Sequence, residues 1–353
     1  MTHDRILLAH GSGGQLSHEL VKRLFLKYFD NPVLARLDDA AVVGGSSFRL
    51  QVPGSFDLRP ETSNSKLAFT TDSYVVKPIF FAGGDIGKLA ICGTVNDLAM
   101  SGARPLYLST AFIIEEGLSL DDLERIVVSM RQAADEAGVE VITGDTKVVN
   151  KGSADGLFIN TAGVGTVPEQ VEISGSNARP GDRVIVSGTI GDHGVAIMSQ
   201  REGLEFSAPL RSDCAPLNRL VAAMLEASKE IHCLRDPTRG GLATTLSEFA
   251  DQSGVGILIH EDRIPIRDAV RGACEMLGLD PLHVANEGKL VAVVGEADAE
   301  KVLACMRGRR YGTEAAIIGE VRVEHPGRVV MRTPLGTSRL VDMLAGDLLP
   351  RIC

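Results

Sequence analysis

The sequence lacks the marks of membrane-spanning, secreted and nucleic-acid-binding proteins. No apolar run approaches the roughly 20 residues of a membrane-spanning helix, and the apolar run at residues 6–9 is too short for a secretory signal. The formal net charge of −10 leaves no broad basic surface for nucleic acid. We therefore expect a cytoplasmic protein that binds neither membranes nor nucleic acid.

Cysteine is scarce and scattered. The six cysteines form no C-x-x-C pair, so neither a zinc site nor a dithiol redox motif is expected. Five stand in apolar or helical surroundings, but Cys353 is the last residue of the sequence. A prenylation signal needs residues after its cysteine, which excludes that role. The terminal cysteine is either accidental or a tethered thiol, on a tail from Gly346 that reaches at most about 25 Å.

Strands and helices alternate along the chain with glycine-rich turns between them, a pattern that predicts two α/β domains. A length of 353 residues also exceeds the roughly 100–200 residues of one domain. We expect domains at 1–172 and 173–345, joined near the Ser-, Gly-, Asn- and Pro-containing segment 171–181, and a tail at 346–353. Predicted strands are 67–71, 106–114, 139–142, 157–167, 183–187, 256–260, 289–294 and 315–321; predicted helices are 85–100, 119–137, 241–252, 268–277 and 297–307.

Two glycine-containing segments are candidates for binding phosphate groups. Glycine lets backbone amides approach an anion, so residues 10–14 (His-Gly-Ser-Gly-Gly) either bind phosphate or form a flexible turn. Residues 236–241 (Asp-Pro-Thr-Arg-Gly-Gly) precede a predicted helix and form either an anion site or a tight turn. Residues 83–88 are not a P-loop, because only three residues separate the glycines and Leu89 stands where Ser or Thr is required.

Aspartates at the ends of apolar segments are candidates for a metal site. They are Asp38, Asp39, Asp72, Asp97 and Asp145. Carboxylate oxygens suit Mg²⁺, which binds through a few carboxylates plus substrate phosphates, whereas isolated aspartates commonly cap helices or form turns. Their position beside Gly and Thr favours a metal–phosphate site. Glu287, between Asn286 and Gly288, is either a general base or a turn residue.

Taken together, these motifs resemble the HypE family of carbamoyl dehydratases, which act in hydrogenase maturation. The matching segments are 9–14, 71–76, 81–90, 93–100, 144–149, 236–241, 286–289 and the ending 350–353 (Pro-Arg-Ile-Cys). This family lies within the aminoimidazole ribonucleotide synthetase-like superfamily. The resemblance implies an α+β fold of two α/β domains, with the N-terminal domain forming a dimer β-barrel and ATP near the subunit interface.

The resemblance also implies a reaction, cofactors and partners. ATP would drive dehydration of an S-carboxamide on Cys353 to a protein thiocyanate, with release of ADP and phosphate, supplying a cyanide ligand for NiFe-hydrogenase. The carbamoyltransferase HypF would donate the carbamoyl group, and a HypC–HypD complex would accept the cyanide. The implied cofactors are ATP and Mg²⁺, and the implied assembly is a homodimer.

Site residues follow from the same matches. The implied catalytic residues are Cys353, Lys147 and Glu287. The implied ATP-binding residues are Gly11, Gly13, Gly14, Lys88, Thr94, Asn96, Asp97, Asp236 and Arg239. The implied metal ligands are Asp39, Asp72, Asp97 and Asp145, with Asp38 as the alternative to Asp39.

Other functions compete with this one, from the same superfamily and from a different class. A selenophosphate synthetase would place a reactive cysteine in the N-terminal glycine-rich loop, but the first cysteine here is Cys92. A small-molecule kinase or amidine-forming synthetase of the superfamily has no use for a terminal cysteine. A scaffold that binds ATP and maturation partners without turning over the tail is the alternative from a different class.

Overall fold

The computed structural model describes residues 6–7, 10, 14–29, 31–44, 65–203, 210–343 and 352. Helices α1–α9 span Gln15–Leu20, Leu26–Phe29, Ile86–Met100, Leu120–Ala137, Asp192–Arg201, Asn218–Ala227, Gly241–Ser253, Asp268–Leu277 and Glu296–Arg307. Strands β1–β14 span Ala41–Val43, Ser65–Tyr74, Phe80–Phe81, Gly84–Asp85, Arg104–Glu115, Glu140–Val149, Leu157–Pro168, Arg183–Val186, Ile231–Arg235, Gly256–His260, Val291–Val294, Ala316–Arg322, Val329–Arg332 and Ser338–Val341.

Each strand and helix predicted from the sequence is present, with ends that differ by a few residues. The largest difference is β6, which was predicted to end at residue 142 and continues to Val149. The 144–149 motif therefore lies inside a strand instead of following one. Elements that the sequence did not predict are α1, α2, α5, α6, β9, β13 and β14, together with the two-residue strands β3 and β4 and the three-residue strand β1.

The N-terminal sheet has the strand order β1-β2-β7-β5-β6. Its neighbours are antiparallel except β5 and β6, which run parallel. Parallel strands need a crossover connection, and α4 supplies it. Strand β6 forms one edge of this sheet, and its residues are exposed up to Val149, which is half-buried.

Helix α3 packs between the two domains. Asp85 caps its first turn, because Oδ1 accepts hydrogen bonds from the backbone N–H groups of Gly87 (2.8 Å) and Lys88 (3.0 Å). Thirteen of its 15 residues are buried, so the helix has no solvent face and must lie between packed layers. It contacts β2, β5, β7 and α4 in the first domain and α6 and β9 in the second.

The C-terminal sheet has the strand order β14-β13-β10-β12-β8-β11-β9. Alternate residues of a strand face opposite sides of the sheet, and β8 shows this directly. Val184 and Val186 belong to the apolar cluster that includes residues of α7, whereas Ile185 belongs to the cluster that includes residues of α6 and α9. Helices thus cover both faces of the sheet. In the described residues, no helix is long and apolar enough to cross a membrane.

Candidate active site

Four aspartates from both domains form an acidic cluster around β2, α3 and the end of β9. The members of this acidic cluster are Asp39, Asp72, Asp97 and Asp236. The hydroxyl oxygen of Thr70 lies 3.0 Å from Asp97 Oδ2 and 3.0 Å from the backbone oxygen of Asp39, which ties two of these segments together. Three of the four predicted metal ligands therefore lie near one another, and Asp236 joins them.

Three members of the acidic cluster, Asp39, Asp97 and Asp236, hold protons more tightly than free aspartates do. Burial is the largest cause: it raises the pKa of Asp39 to about 6 against the opposing charge of Arg235. Burial, and then the negative charges of Asp39 and Asp72, raise the pKa of Asp236 to about 8. The pKa of Asp97 is raised well above its usual value by burial and then by Asp236. Repulsion of this kind is relieved when a cation binds.

Arg235, at the end of β9, is a cation in direct contact with the acidic cluster. Its Nε lies 2.8 Å from Asp39 Oδ1, and its guanidinium also pairs with Glu248. Its Nη2 donates a 2.8 Å hydrogen bond to the backbone oxygen of Leu37. These contacts fix Arg235 and orient Asp39.

The acidic cluster fits Mg²⁺ that arrives with a nucleotide. Among the described residues, no three His, Cys, Asp or Glu side chains lie close enough together to hold a metal ion. Mg²⁺ usually keeps several waters and binds through one or two carboxylates plus substrate phosphates. The acidic cluster supplies oxygen donors of this kind, and burial followed by the charge of neighbouring aspartates raises the pKa values of Asp97 and Asp236.

The turn at residues 286–288 places Glu287 beside the acidic cluster. Asn286 donates a 2.9 Å hydrogen bond to the backbone oxygen of Pro237 and accepts a 2.7 Å one from the backbone N–H of Gly191. A Cβ on Gly288 would lie 1.9 Å from the backbone oxygen of Asp213, so only glycine fits there. The turn is thereby locked against two other segments of the domain.

The carboxyl group of Glu287 is buried, and one of its oxygens is available to bind a ligand. Its residue is 2% exposed, and Oε1 has no hydrogen-bond partner in the part of the chain that the structure describes. Burial, followed by nearby negative charge, raises the pKa of Glu287 well above its usual value. A buried polar atom without a hydrogen-bond partner lowers the stability of a protein by about 1–3 kcal/mol. A carboxyl group with a raised pKa is suited to general acid–base catalysis.

Asp213 supports this turn from the opposite side. Its Oδ1 accepts a 3.0 Å hydrogen bond from the backbone N–H of Glu287, and its Oδ2 lies 3.1 Å from Lys289 Nζ. Burial, the largest single cause, would raise the pKa of Asp213, but the charge of Lys289 and the other nearby charge and hydrogen-bond donors together outweigh it, and the pKa is lowered. Asp213 is therefore a charged, fixed acceptor, and the sequence did not predict it.

The other residues predicted to bind ATP lie in varied settings. Lys88 Nζ donates to the backbone oxygen of Gly83 at 3.1 Å. Thr94 is fully buried and hydrogen-bonded to Thr161. Arg239 Nη2 lies 4.0 Å from Asp72 Oδ1.

Asn96 and Gly14 complete the described ATP-binding predictions. The side chain of Asn96 accepts from the backbone N–H of Leu217 and donates to the backbone oxygen of Ala215. Gly14 is buried at the start of α1. Two further predicted residues, Gly11 and Gly13, lie outside the described residues. The assignments to ATP stay predictions.

Asp145 and Lys147 stand apart from the acidic cluster within one chain. Both are exposed on β6. The sheet register pairs Asp72 with Thr161, Thr161 with Thr110, and Thr110 with Gly144. Asp145 is thus three strand spacings from Asp72, or about 14 Å. Their roles in metal binding and catalysis stay predictions, and Cys353 lies outside the described residues.

The residue before the terminal cysteine is buried. Ile352 is 3% exposed and belongs to the apolar cluster that contains Tyr74 and Leu89. Its backbone oxygen lies 2.8 Å from Nε2 of His193, the second residue of α5. Ile352 therefore lies in the interior between the two domains, in a contact that the sequence did not predict.

The two α/β domains with an acidic cluster between them define a known class. The family described as AIR synthase related protein matches in both parts: its N-terminal domain at residues 37–167 and its C-terminal domain at residues 179–332. Carbamoyl dehydratase HypE of Azotobacter vinelandii is 54% identical over 346 residues, covering 98% of this chain and 96% of that protein.

Solved structures of HypE are similar to this chain in both sequence and fold. A crystal structure of hydrogenase maturation protein HypE in complex with ATP is 52% identical, covers 99% of this chain and 100% of that one, and has a TM-score of 0.79. A HypE–HypF complex is 50% identical, covers 92% and 99%, and has a TM-score of 0.83. The chain belongs to the HypE family of carbamoyl dehydratases. The family and the fold class predicted from the motifs are confirmed, while the dimer barrel stays a prediction.

Proposed function

We propose that this enzyme uses ATP to dehydrate a carbamoyl group carried as an S-carboxamide on Cys353, forming a protein thiocyanate, ADP and phosphate. The observation that supports this most strongly is the buried position of Ile352, the residue next to Cys353. A buried residue directly before Cys353 is what a substrate tethered to that cysteine requires. The relatives that are named carbamoyl dehydratases, one of them crystallised with ATP, support the same reaction.

The oxygen of the S-carboxamide is a poor leaving group, and its phosphorylation by ATP turns it into a good one. The oxygen of the S-carboxamide attacks the γ-phosphorus of ATP, which forms a C–O–P linkage and releases ADP. The C–O bond then breaks and the oxygen leaves with phosphate, while the nitrogen loses its protons and forms the C≡N bond. The net change on the protein is the loss of one water. Because phosphoryl transfer depends mainly on positioning and charge neutralisation, the protein needs ordered phosphate contacts and one base.

We assign the base to Glu287. Its carboxyl group is buried and lacks a hydrogen-bond partner on Oε1 among the described residues, so it is available to a ligand. Its raised pKa lies in the direction that lets a carboxylate accept a proton and hold it near neutral pH. Lys147 is assigned to orienting the amide. Since Lys147 is exposed on β6, this assignment depends on what covers that strand.

The acidic cluster and its surroundings are assigned to Mg²⁺ and ATP. Asp39, Asp72 and Asp97, with Asp145, are the proposed metal ligands, and the raised pKa of Asp236 favours adding it to them. Mg²⁺, when bound with ATP, neutralises phosphate charge. The proposed ATP contacts are Gly11, Gly13, Gly14, Lys88, Thr94, Asn96, Asp97, Asp236 and Arg239.

We propose that the protein is a homodimer joined through the N-terminal sheet. Strand β6 is an edge strand with exposed Val141, Ile142 and Val148, and unprotected edges of this kind pair readily with another chain. The proposed domain limits are 1–172 and 173–345, followed by the tail 346–353. A dimer would also cover Asp145 and Lys147 with a second subunit.

HypF is the proposed carbamoyl donor, because the relative in the HypE–HypF complex is 50% identical and covers 92% of this chain. A HypC–HypD complex is the proposed cyanide acceptor, and the biological role is supply of cyanide for NiFe-hydrogenase. Loading requires the thiolate of Cys353, since a free cysteine has a pKa of about 8.5 and is mostly protonated at neutral pH. Activation of this thiol is therefore assigned to the donor.

Intact-protein mass spectrometry after incubation with HypF, carbamoyl phosphate and Mg-ATP tests the proposal. A carbamoyl adduct on the C-terminal peptide that loses about 18 Da only when ATP is hydrolysed is the expected result, and Cys353→Ala should show neither mass change. Cys305→Ala is the matched control, because Cys305 is the cysteine among the described residues that is not fully buried. An adduct that persists unchanged with active partners would favour the scaffold function instead.

A further inference from the structure

His193 is a buried histidine whose two ring nitrogens are both in use. Nε2 lies 2.8 Å from the backbone oxygen of Ile352, and Nδ1 lies 2.8 Å from Oγ of Ser212. A carbonyl oxygen can only accept, so Nε2 carries the hydrogen and Nδ1 accepts from the Ser212 hydroxyl. Burial lowers the pKa of His193, which favours the neutral ring that this arrangement needs.

The imidazole is held in place from several sides. The ring of Phe81 meets it edge-on, with 5.5 Å between centroids. Ser212, its hydrogen-bond donor, is itself fixed: its backbone N–H donates to the backbone oxygen of Ala82 at 2.8 Å, and its Oγ accepts from the backbone N–H of Cys214 at 3.1 Å. His193 is therefore a preorganised donor that points at the backbone oxygen of Ile352.

The adjacent residues Ser212 and Asp213 support both Ile352 and the candidate base, Glu287. Ser212 orients His193, which holds Ile352, while the next residue, Asp213, accepts the 3.0 Å hydrogen bond from the backbone N–H of Glu287. Ser212 is half-buried, the side chain of Asp213 is 3% exposed, and the two residues are adjacent in the chain. The position of Ile352 relative to Glu287 is thus set through two neighbouring residues.

We propose that His193, oriented by Ser212, is a positioning residue that docks the tail by binding the Ile352 carbonyl, and so presents the modified Cys353 to Glu287. This inference rests on the proposed function for its catalytic consequence, but docking itself does not. Because consecutive Cα atoms are about 3.8 Å apart, an anchor on Ile352 confines the start of the last residue to the same region. Releasing the anchor would leave ATP binding intact and make presentation of Cys353 infrequent.

Thiol labelling measures docking without any partner or turnover. In the ATP-bound protein, iodoacetamide labelling of the C-terminal peptide should be about tenfold faster in His193→Phe, which keeps a ring beside Phe81 and loses both hydrogen bonds. Tenfold is the effect of one net hydrogen bond of about 1.4 kcal/mol. His193→Gln retains an amide N–H for the carbonyl and should restore slow labelling. The half-buried Cys305 is an internal reference, and His260→Gln is the histidine control.

Single-turnover dehydration of the carbamoylated protein gives the second measurement. Dehydration should fall about tenfold in His193→Phe and Ser212→Ala, recover in His193→Gln, and stay at the wild-type rate in His260→Gln, with ATP binding equal in all. Equal labelling and equal dehydration in wild type and His193→Phe would overturn the inference. A similar loss in His193→Gln and His193→Phe would overturn it too, by assigning His193 to packing. If wild type forms no thiocyanate, the proposed function fails while labelling still decides docking.

Discussion

Asn96 Oδ1 accepts a 2.8 Å hydrogen bond from the backbone N–H of Leu217, and this bond joins the two domains. Asn96 is fully buried in α3, and its Nδ2 donates to the backbone oxygen of Ala215 at 3.1 Å. Leu217 immediately precedes α6. One amide side chain thus satisfies two backbone groups of the segment that carries Asp213, so interdomain packing and the candidate site depend on the same residue.

Asn96→Ala should lower the free energy of unfolding by about 2–3 kcal/mol, because it leaves two buried backbone groups without partners. Urea denaturation followed by circular dichroism measures the change. Asn177→Ala is the matched control: its Nδ2 makes an exposed hydrogen bond to the backbone oxygen of Glu172, and its effect should stay within about 0.5 kcal/mol. Equal effects in the two variants would show that the Asn96 contacts do not stabilise the domain interface.

Gly93→Ala should destabilise the N-terminal domain by about 1–3 kcal/mol through overpacking. A Cβ on Gly93 would lie 2.2 Å from the hydroxyl oxygen of Tyr74, a side chain that is itself 2% exposed and cannot easily move. Gly272→Ala in α8 is the control, since its Cβ would have no neighbour within 4 Å. That variant should instead gain roughly 0.5–1 kcal/mol. The midpoints of thermal unfolding separate the two.

A double variant tests the cause assigned to the Gly93 effect. Tyr74→Phe removes the hydroxyl group that the new methyl group would meet, so it should recover much of the stability lost in Gly93→Ala. Residues in contact couple strongly. If the stability changes of Gly93→Ala and Tyr74→Phe simply add in the double variant, the strain lies elsewhere in α3.

Regular, periodic segments were predictable because local chemistry determines them. Helix α4 has an apolar stripe, acidic residues in its first turn and Gly138 in the left-handed conformation at its end. Helices α5 and α6 were not predicted. Helix α5 starts after Gly191 with no side-chain cap and contains Gly194, so its sequence resembles a loop. Tertiary packing decides such segments.

The site was predictable in its parts and not in its arrangement. The motifs identified Asp72 and Asp97, but only the pairing of distant strands and helices brings them to Asp236. The prediction that β6 ends at residue 142 concealed that Asp145 is an exposed residue on an edge strand. The contact between His193 and Ile352 joins residues 159 positions apart, and no local pattern encodes a contact of that range.

Asp97→Asn should lower ATP turnover by about 10–100-fold, the range found when groups around a metal site are changed. The same variant should raise the stability of the nucleotide-free protein, because burial and Asp236 disfavour the charged form of Asp97. Phosphate release and urea denaturation measure the two effects. Asp121→Asn, in the exposed first turn of α4, is the control. Lower activity together with lower stability would indicate a structural role for Asp97.

Glu287→Gln should preserve ATP binding and slow dehydration by about 10²–10⁴-fold, the usual contribution of a general base. Glutamine keeps the shape of the side chain and cannot accept the proton, so single-turnover thiocyanate formation should fall while nucleotide affinity does not. Glu300→Gln, on the exposed surface of α9, is the control. Loss of ATP binding in Glu287→Gln would instead show that Glu287 acts in nucleotide binding.

The same Glu287→Gln variant should become more stable relative to wild type as the pH rises. The pKa of Glu287 is raised in the folded protein, chiefly by burial, whereas an unfolded glutamate has a pKa of about 4.3. Above that pH the unfolded chain has lost a proton that the folded chain retains, so the contribution of Glu287 to stability falls until the pH passes the folded pKa. Glutamine has no such proton. Urea denaturation at pH 5, 6, 7 and 8 should show a widening difference between the two proteins, and a constant difference would mean that Glu287 is already ionised in the fold.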